Sequence, residues 1–589
     1  MRNTILGCLL ATSGLLCNAQ QPASVISNDY TELTDTKPVN QAAWEQMKTP
    51  VRLSWGSTDV RYDKTNVPSL KETRTWKGTA WKGERIQAQA VLWSALPLTG
   101  VSATVSDLTG SNKGNIIPAS AVRTALVRYV MTDELNKDGR GGCGHRPERT
   151  EWDSSLVADV LDPIQVKDMQ ARTVQPVWVS IQVPETATVG TYRGTLTVQA
   201  EGQEPMALPL ELKVTGRTLP APKDWAFHLD LWQNPYAVAR YYNVPLWSQA
   251  HFDAMRPTMQ QLADAGQKII TATVMNRPWG GQTEDAFGSM VTRMKKIDGS
   301  WAFDYSIFDK WVEFMMSLGI DRQINCYSLI PWKLTFQYYD QASNSLKELD
   351  TKPGEAAYTD YWYDFLVSFA KHLKEKGWWD ITTIGMDERA LSDMQTAIAL
   401  IKKADPDYKI SLAGLYHPEI EADLYDYCIP FGYNFPADVK ARREKEGKIS
   451  TYYTCCTEPY PNTFTFSAPA EAAWIGWHAA GGHYDGYLRW AYNSWTLDPL
   501  RDSRFRTWAA GDCYLVYPGG RSSIRMERLI EGIQDYEKIR ILREEFEKAG
   551  AKGKLNRLNK LVSRFQADAL VDQSAAGMVN RAKAELNAF

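Results

Sequence analysis

Beyond its N-terminus, this 589-residue chain has no apolar run near the ~18 residues that a membrane-spanning helix needs, so no transmembrane segment is expected. It also lacks an excess of either charge. A formal net charge of -3 and a pI near 6.2 exclude the basic field that nucleic acid or an anionic membrane surface would select. Cysteine is sparse, eight in all, with no CxxC pair and no histidine at ligand spacing. Neither a metal centre nor a redox dithiol is therefore expected, and no cofactor is called for. Repeats and low-complexity runs are absent. What remains is a globular composition, 44% hydrophobic and 23% charged, unusually rich in tryptophan (22) and tyrosine (28). Most of these rings must fill cores. Some could serve a sugar, whose apolar face stacks on an aromatic ring while its hydroxyls need polar partners.

The opening "MRNTILGCLLATSGLLCNAQ" reads as a secretory leader. Arg2 supplies the positive start, Ile5 to Leu16 the short apolar stretch, and Ala19 the small residue before cleavage. The mature protein is expected to be exported, periplasmic or extracellular. Leu16 is too bulky to precede a lipidated Cys17, so a lipid anchor is not expected. Export permits disulfides. The six cysteines after Ala19 are Cys143, Cys326, Cys428, Cys455, Cys456 and Cys513, and their spacing sets no pairing. The adjacent Cys455 and Cys456 read as small buried residues on a strand.

Five segments follow: signal 1–19, a polar leader 20–50, a β-rich domain 51–220, an alternating domain 221–524 and a helical tail 525–589. In the β-rich domain, "VQPVWVSIQVPETATVGTYRGTLTVQAEG" gives short strands cut by Pro and Gly, the pattern of an antiparallel β-sandwich. The Pro-rich "GRTLPAPKDW" breaks it. Short apolar runs then alternate with longer segments. AFHLDLW, KIITATVM, QINCYSL, ITTIGM, KISLAGL, YCIPFGY, STYYTCC and GYLRWAY are the strand candidates, and they predict a (β/α)8 TIM-type barrel. An open doubly wound sheet is the alternative, because the helices among the fifth to seventh strands must be short. Tyr358, Trp362, Phe365, Phe369 and Leu373 recur at helical spacing before Gly377. Ser392 and Gln395 suggest a capping box for the helix that follows the fourth strand. Met526, Leu529, Ile533, Tyr536 and Ile539 form the stripe of a long C-terminal helix.

"ITTIGMDERALSDM" ends the fourth strand at two adjacent acids, Asp387 and Glu388. In a barrel that is the C-terminal mouth, where active sites are built. Two acids in unlike environments can divide glycosidic cleavage, one protonating the leaving oxygen and the other facing the charge that develops on the sugar. The plain alternatives are an acidic loop before a helix N-terminus and an ion pair with Arg389.

This "MDE", with "STYYTCC", "DGYLRWAYNSW", "GDCYLVYPGG", "SIRMERLIEGIQDYEKI" and "VWVSIQVPETATVGTYRGTLTV", resembles glycoside hydrolase family 123 from about residue 51 to 545. The resemblance implies a sandwich-plus-barrel enzyme that releases β-linked N-acetylgalactosamine from glycosphingolipid-type glycans, with retention and without an enzyme nucleophile. By that resemblance Asp387 orients the substrate's 2-acetamido group and stabilises an oxazolinium-like intermediate. Glu388 would protonate the leaving oxygen, then activate water, and needs a raised pKa from burial or from its acidic neighbour. Other strand-end residues are candidates for contact with sugar: Asn276, Tyr416, His417, Tyr433, Asn434, Tyr492, Asn493 and Trp495. Packing or loop capping explains each of these equally well. A glycosidase of different sugar specificity and a non-catalytic glycan-binding protein are the competing readings. The expected partner is an oligosaccharide or glycosphingolipid glycan, and the sequence sets no oligomeric state.

Overall fold

The computed structural model describes residues 30–111, 114–134 and 153–589. The secretory leader and Cys143 lie outside the described residues.

Two sheets face each other in the N-terminal half. One orders Val51–Gly56, Arg85–Ser94, Thr173–Gln182, Val122–Thr132, Ser155–Asp162 and Ser522–Ser523, all antiparallel. The other orders Trp76–Lys82, Met206–Thr218, Gly190–Gln199, Leu98–Val105 and Lys167–Met169, with only its first pair parallel. Alternation sets the facing. Leu208, Leu210, Leu212 and Val214 point inward, every second residue, onto Leu92, Val177 and Val179 of the opposite sheet. The last strand of the first sheet, Ser522–Ser523, comes from far along the chain and stitches the sandwich to the second domain. The described part of the polar leader also packs there. Glu32 accepts from Arg128 Nε at 2.7 Å.

The second domain is an eight-stranded parallel barrel with C-terminal helices. Its strands are β1 His228–Leu231, β2 Ile269–Thr273, β3 Gln323–Tyr327, β4 Thr382–Met386, β5 Lys409–Ala413, β6 Asp426–Pro430, β7 Ile449–Tyr453 and β8 Gly486–Arg489. Six lie within their expected runs, and β6 and β7 each begin one residue before theirs, at Asp426 and Ile449. Hydrogen-bonded pairing runs unbroken from β2 to β8 and on to β1. Between β1 and β2 the barrel closes on a single bridge, Leu229 to Gln267. Buried amide side chains complete the seam. Gln233 accepts from the Thr271 N–H at 2.9 Å and Gln267 from the Leu231 N–H at 3.0 Å. Backbone groups that a neighbouring strand would satisfy are paired in this way.

Helix Ala356–Lys376 buries Tyr358, Trp362, Phe365, Phe369 and Leu373, and Gly377 ends it at φ 72°. The capping box at Ser392 does not form. Helix Leu391–Ala404 starts two residues earlier than that box requires, Ala390 is its cap, and Ser392 sits inside the first turn. Between β5 and β6 there is only the 3-10 turn Glu421–Asp423. The loops after β2 and β3 carry a four-stranded sheet (Trp301–Asp304, Thr292–Lys295, Thr335–Asp340, Ser345–Asp350) that periodicity does not reveal. The final long helix, Ile524–Lys548, is capped by Ser523 Oγ, which accepts from the Met526 N–H at 2.9 Å. No helix among the described residues is long and apolar enough to cross a membrane.

Candidate active site

β4 opens on three β-branched residues, Thr382, Thr383 and Ile384, and its five residues are all buried. Thr383 points into the barrel, where its Oγ1 donates to Asn325 Oδ1 at 3.0 Å. Period-two alternation therefore carries Gly385 and Asp387 inward as well. Gly385 has to be small, since a Cβ there would stand 2.7 Å from Asn325 Oδ1 and 2.9 Å from the Tyr327 ring. At Asp387 the strand ends. The Glu388 N–H turns back to donate to Asp387 Oδ1 at 2.9 Å, and the bend lets both neighbouring acids line one cavity of about 560 Å³ at the C-terminal mouth.

Two indoles aim at Asp387. Trp279 Nε1 donates to Oδ2 at 3.0 Å and Trp332 Nε1 to the same oxygen at 3.3 Å. Trp279 packs in turn on Trp232 (ring centroids 5.0 Å apart) and Tyr327 (5.1 Å). Burial among these rings pushes the Asp387 carboxyl up to about 6. The charge of Glu388 adds to this, and the three N–H donors only partly offset it. The burial expected around Glu388 thus falls on Asp387, and Glu388 is exposed to the cavity. The Tyr453 hydroxyl, at the end of β7, donates to Glu388 Oε1.

The cavity lining also holds Glu458 and the buried Asp512. Arg489 Nη2 donates to its Oδ1 at 2.6 Å and Trp490 Nε1 to its Oδ2 at 2.8 Å. Trp508 meets Trp490 edge to face and donates to the Gln282 carbonyl at 2.8 Å. Among the described residues no group of three or more His, Cys, Asp or Glu is placed to hold a metal ion.

Of the other strand-end candidates, His417 and Tyr433 line the cavity. Tyr416 stacks on Tyr427 instead, and Asn434 accepts from the Tyr484 hydroxyl at 3.2 Å. Asn276 is half-buried, outside the lining. Tyr492, Asn493 and Trp495 are fully buried away from the cavity. Tyr492 donates to the Thr258 carbonyl, Asn493 to that of Asn234 and Trp495 to that of Val516, all at 2.8 to 2.9 Å. These three side chains therefore serve packing, while Trp490 and Asp512 of the same segment reach the cavity. Trp232, Trp279, Trp332, Tyr453, Trp490 and Asp512 were not anticipated. The only sequence signal for them was position, since Trp232, Tyr453 and Trp490 stand at or just past the ends of β1, β7 and β8. Cys455 and Cys456 also differ from expectation. They lie past the end of β7, on the cavity wall, Cys455 as a free, half-buried thiol and Cys456 in a disulfide.

Aromatic faces for a sugar ring and acids at its rim are what a carbohydrate-cleaving barrel requires, and this chain is a glycoside hydrolase. It belongs to glycoside hydrolase family 123. The family's catalytic-domain model matches residues 232–542, and its N-terminal-domain model residues 55–200. A family 123 glycoside hydrolase from Clostridium perfringens, whose structural analysis addresses glycolipid glycan hydrolysis, is 26% identical, with a TM-score of 0.80 over 91% of this chain and 99% of that one. A family 5 xyloglucanase from Bacteroides ovatus aligns over 82% of this chain and all of its own, but at 8% identity and a TM-score of 0.29 it carries no argument. A search of curated protein sequences finds no match.

Proposed function

We propose that the chain removes β-linked N-acetylgalactosamine from glycans of the glycosphingolipid type, with retention, by a substrate-assisted mechanism. The observation that carries this reading is the pairing of unlike acids. Asp387 is sunk among indoles that donate to it, while Glu388 next to it is open to the cavity and held by Tyr453. The glycolipid activity of the C. perfringens relative supports the substrate class.

In this mechanism the substrate's acetamido oxygen attacks the anomeric carbon. Asp387, ionised, accepts the acetamido N–H and faces the positive charge that builds on the oxazolinium-like ring. The Trp279 and Trp332 N–H groups occupy Oδ2 and fix its plane, and Oδ1, which accepts from the Glu388 N–H, keeps a second lone pair for the substrate. Glu388 gives its proton to the departing oxygen, then takes one from the water that opens the intermediate. Trp232 and Trp279 offer ring faces beneath the sugar. Export into an oxidising compartment belongs to the same reading, supported by the leader sequence and by the disulfide at Cys456.

Matched aryl β-glycosides of GalNAc, GlcNAc and galactose test the reading. Cleavage confined to the GalNAc compound is expected. Cleavage of the galactoside, which has no acetamido group, would sink the substrate-assisted form. Glu388→Gln is expected to slow poor leaving groups far more than activated aryl ones, and Asp387→Asn to slow both alike by a factor on the order of 10² or more. Equal losses for both variants on both substrates would show the roles to be misassigned.

A further inference from the structure

Beneath the cavity, the barrel interior is polar where branched aliphatic layers are usual. His228 and Asp230 of β1, Gln323 and Asn325 of β3, Ser411 of β5 and Asp426 of β6 are all buried. Most of these groups are paired. Asp426 Oδ2 takes Gln323 Nε2 at 2.9 Å and lies 3.3 Å from His228 Nε2. Asn325 Oδ1 accepts from Ser411 Oγ at 2.6 Å.

Asp230 is the exception. It is 3% exposed and forms no salt bridge, and its Oδ1 has no partner among the described residues. Its other oxygen accepts from Trp232 Nε1 at 3.1 Å. Trp232 crosses from this interior into the cavity wall. There it packs at 4.6 Å on Tyr327 and at 5.0 Å on Trp279, whose indole N–H goes to Asp387. A buried acid without a cation is costly, and a branched aliphatic side chain would fill the same volume without that cost.

We propose that Asp230 is a positioning residue that anchors the indole of Trp232 from inside the barrel and so sets the floor of the sugar pocket and the Trp279 contact to Asp387. The proposal rests on the reading of this cavity as the sugar site. Asp230 does not touch substrate, and it acts through Trp232.

The anchor changes strength with pH. Burial, and then the neighbouring Asp426, push the Asp230 carboxyl up to about 7, against the opposing pull of His228. The other titratable groups near it are Tyr327 on β3 and Cys428 on β6. Below pH 7 the acid is neutral and a weak acceptor. Above it, the bond to the indole is charge-assisted.

Two readouts test the proposal on the whole protein. The first needs no turnover, so it decides the matter even if no aryl glycoside is cleaved. In enzyme labelled with 5-fluorotryptophan, the Trp232 ¹⁹F resonance is identified by its loss in Trp232→Phe. It is expected to shift with pH about a midpoint near 7, and to stop titrating in Asp230→Asn, which keeps an oxygen acceptor but not the ionisation. The second readout is kinetic. Asp230→Asn is expected to match the parent within about twofold at pH 5.5 and to lose about fivefold in kcat/KM at pH 8, mostly in KM. Asp230→Leu, which has no acceptor, is expected to lose about tenfold at both pH values. A Trp232 signal that titrates identically in Asp230→Asn would place the titration on Asp387 or His228 and overturn the proposal. So would unchanged kinetics in both variants.

Discussion

At Asp387, three N–H donors hold a carboxylate whose pKa burial nonetheless lifts to about 6. Catalysis by the proposed route needs the ionised form, so kcat/KM should fall as pH drops through about 6. Removing a donor disfavours the anion further. Trp332→Phe should therefore move this acid limb upward by about half a pH unit or more. It should slow the enzyme severalfold at pH 5.5 and little at pH 8. A limb that stays in place would show that Asp387 does not control it. Trp332 is 41% exposed, so the change should leave stability within about 0.5 kcal/mol. The acid pair is legible in sequence because it terminates an apolar run. Its indole partners are not, because Trp279 and Trp332 sit in irregular loops after β2 and β3, and nothing in their local pattern points toward the end of β4.

Elements show the same division. All eight barrel strands were readable as short apolar runs, since strands buried on both faces have no need of alternation. The helix ending at Gly377 was readable from its stripe and its stop. The four-stranded insertion was not, because its strands are short, half-exposed and paired across two separate loops. Helix–helix contact was equally silent. Helix Ile524–Lys548 crosses Pro469–Gly482 at glycine, where a Cβ on Gly532 would stand 2.3 Å from the Ala473 carbonyl and one on Gly476 2.1 Å from that of Gly532. Gly532→Ala should lower stability by about 3 kcal/mol through forced separation, despite the gain of about 1 kcal/mol in helix propensity. Thermal denaturation decides which wins. A raised Tm would mean that the helices can part without cost.

Across the whole molecule, sandwich and barrel are held by buried charge. Asp159, on sandwich strand Ser155–Asp162, takes Arg61 Nη1 at 2.8 Å and Arg525 Nε, from the C-terminal helix, at 2.9 Å. Burial alone would push this carboxyl up, but Arg525 and Arg61 hold it below the usual aspartate range. Its contribution is therefore present above the unfolded aspartate pKa and is lost as pH falls through the lowered folded value. Asp159→Ala leaves the buried Arg525 and the partly buried Arg61 guanidinium groups without their counter-charge and should cost about 3–5 kcal/mol, measured by denaturant unfolding at neutral pH. A loss under 1 kcal/mol would show that solvent reaches the seam. Neither ion pair could be read from sequence, for the partners lie 98 and 366 residues apart. Periodicity and turn chemistry are local, and they alone determined the strands, the barrel class, the principal helices and the place of the acid pair. Which rings surround those acids, which carboxyl is desolvated and which strand completes the sandwich depend on contacts between distant segments, and only the tertiary structure decided them.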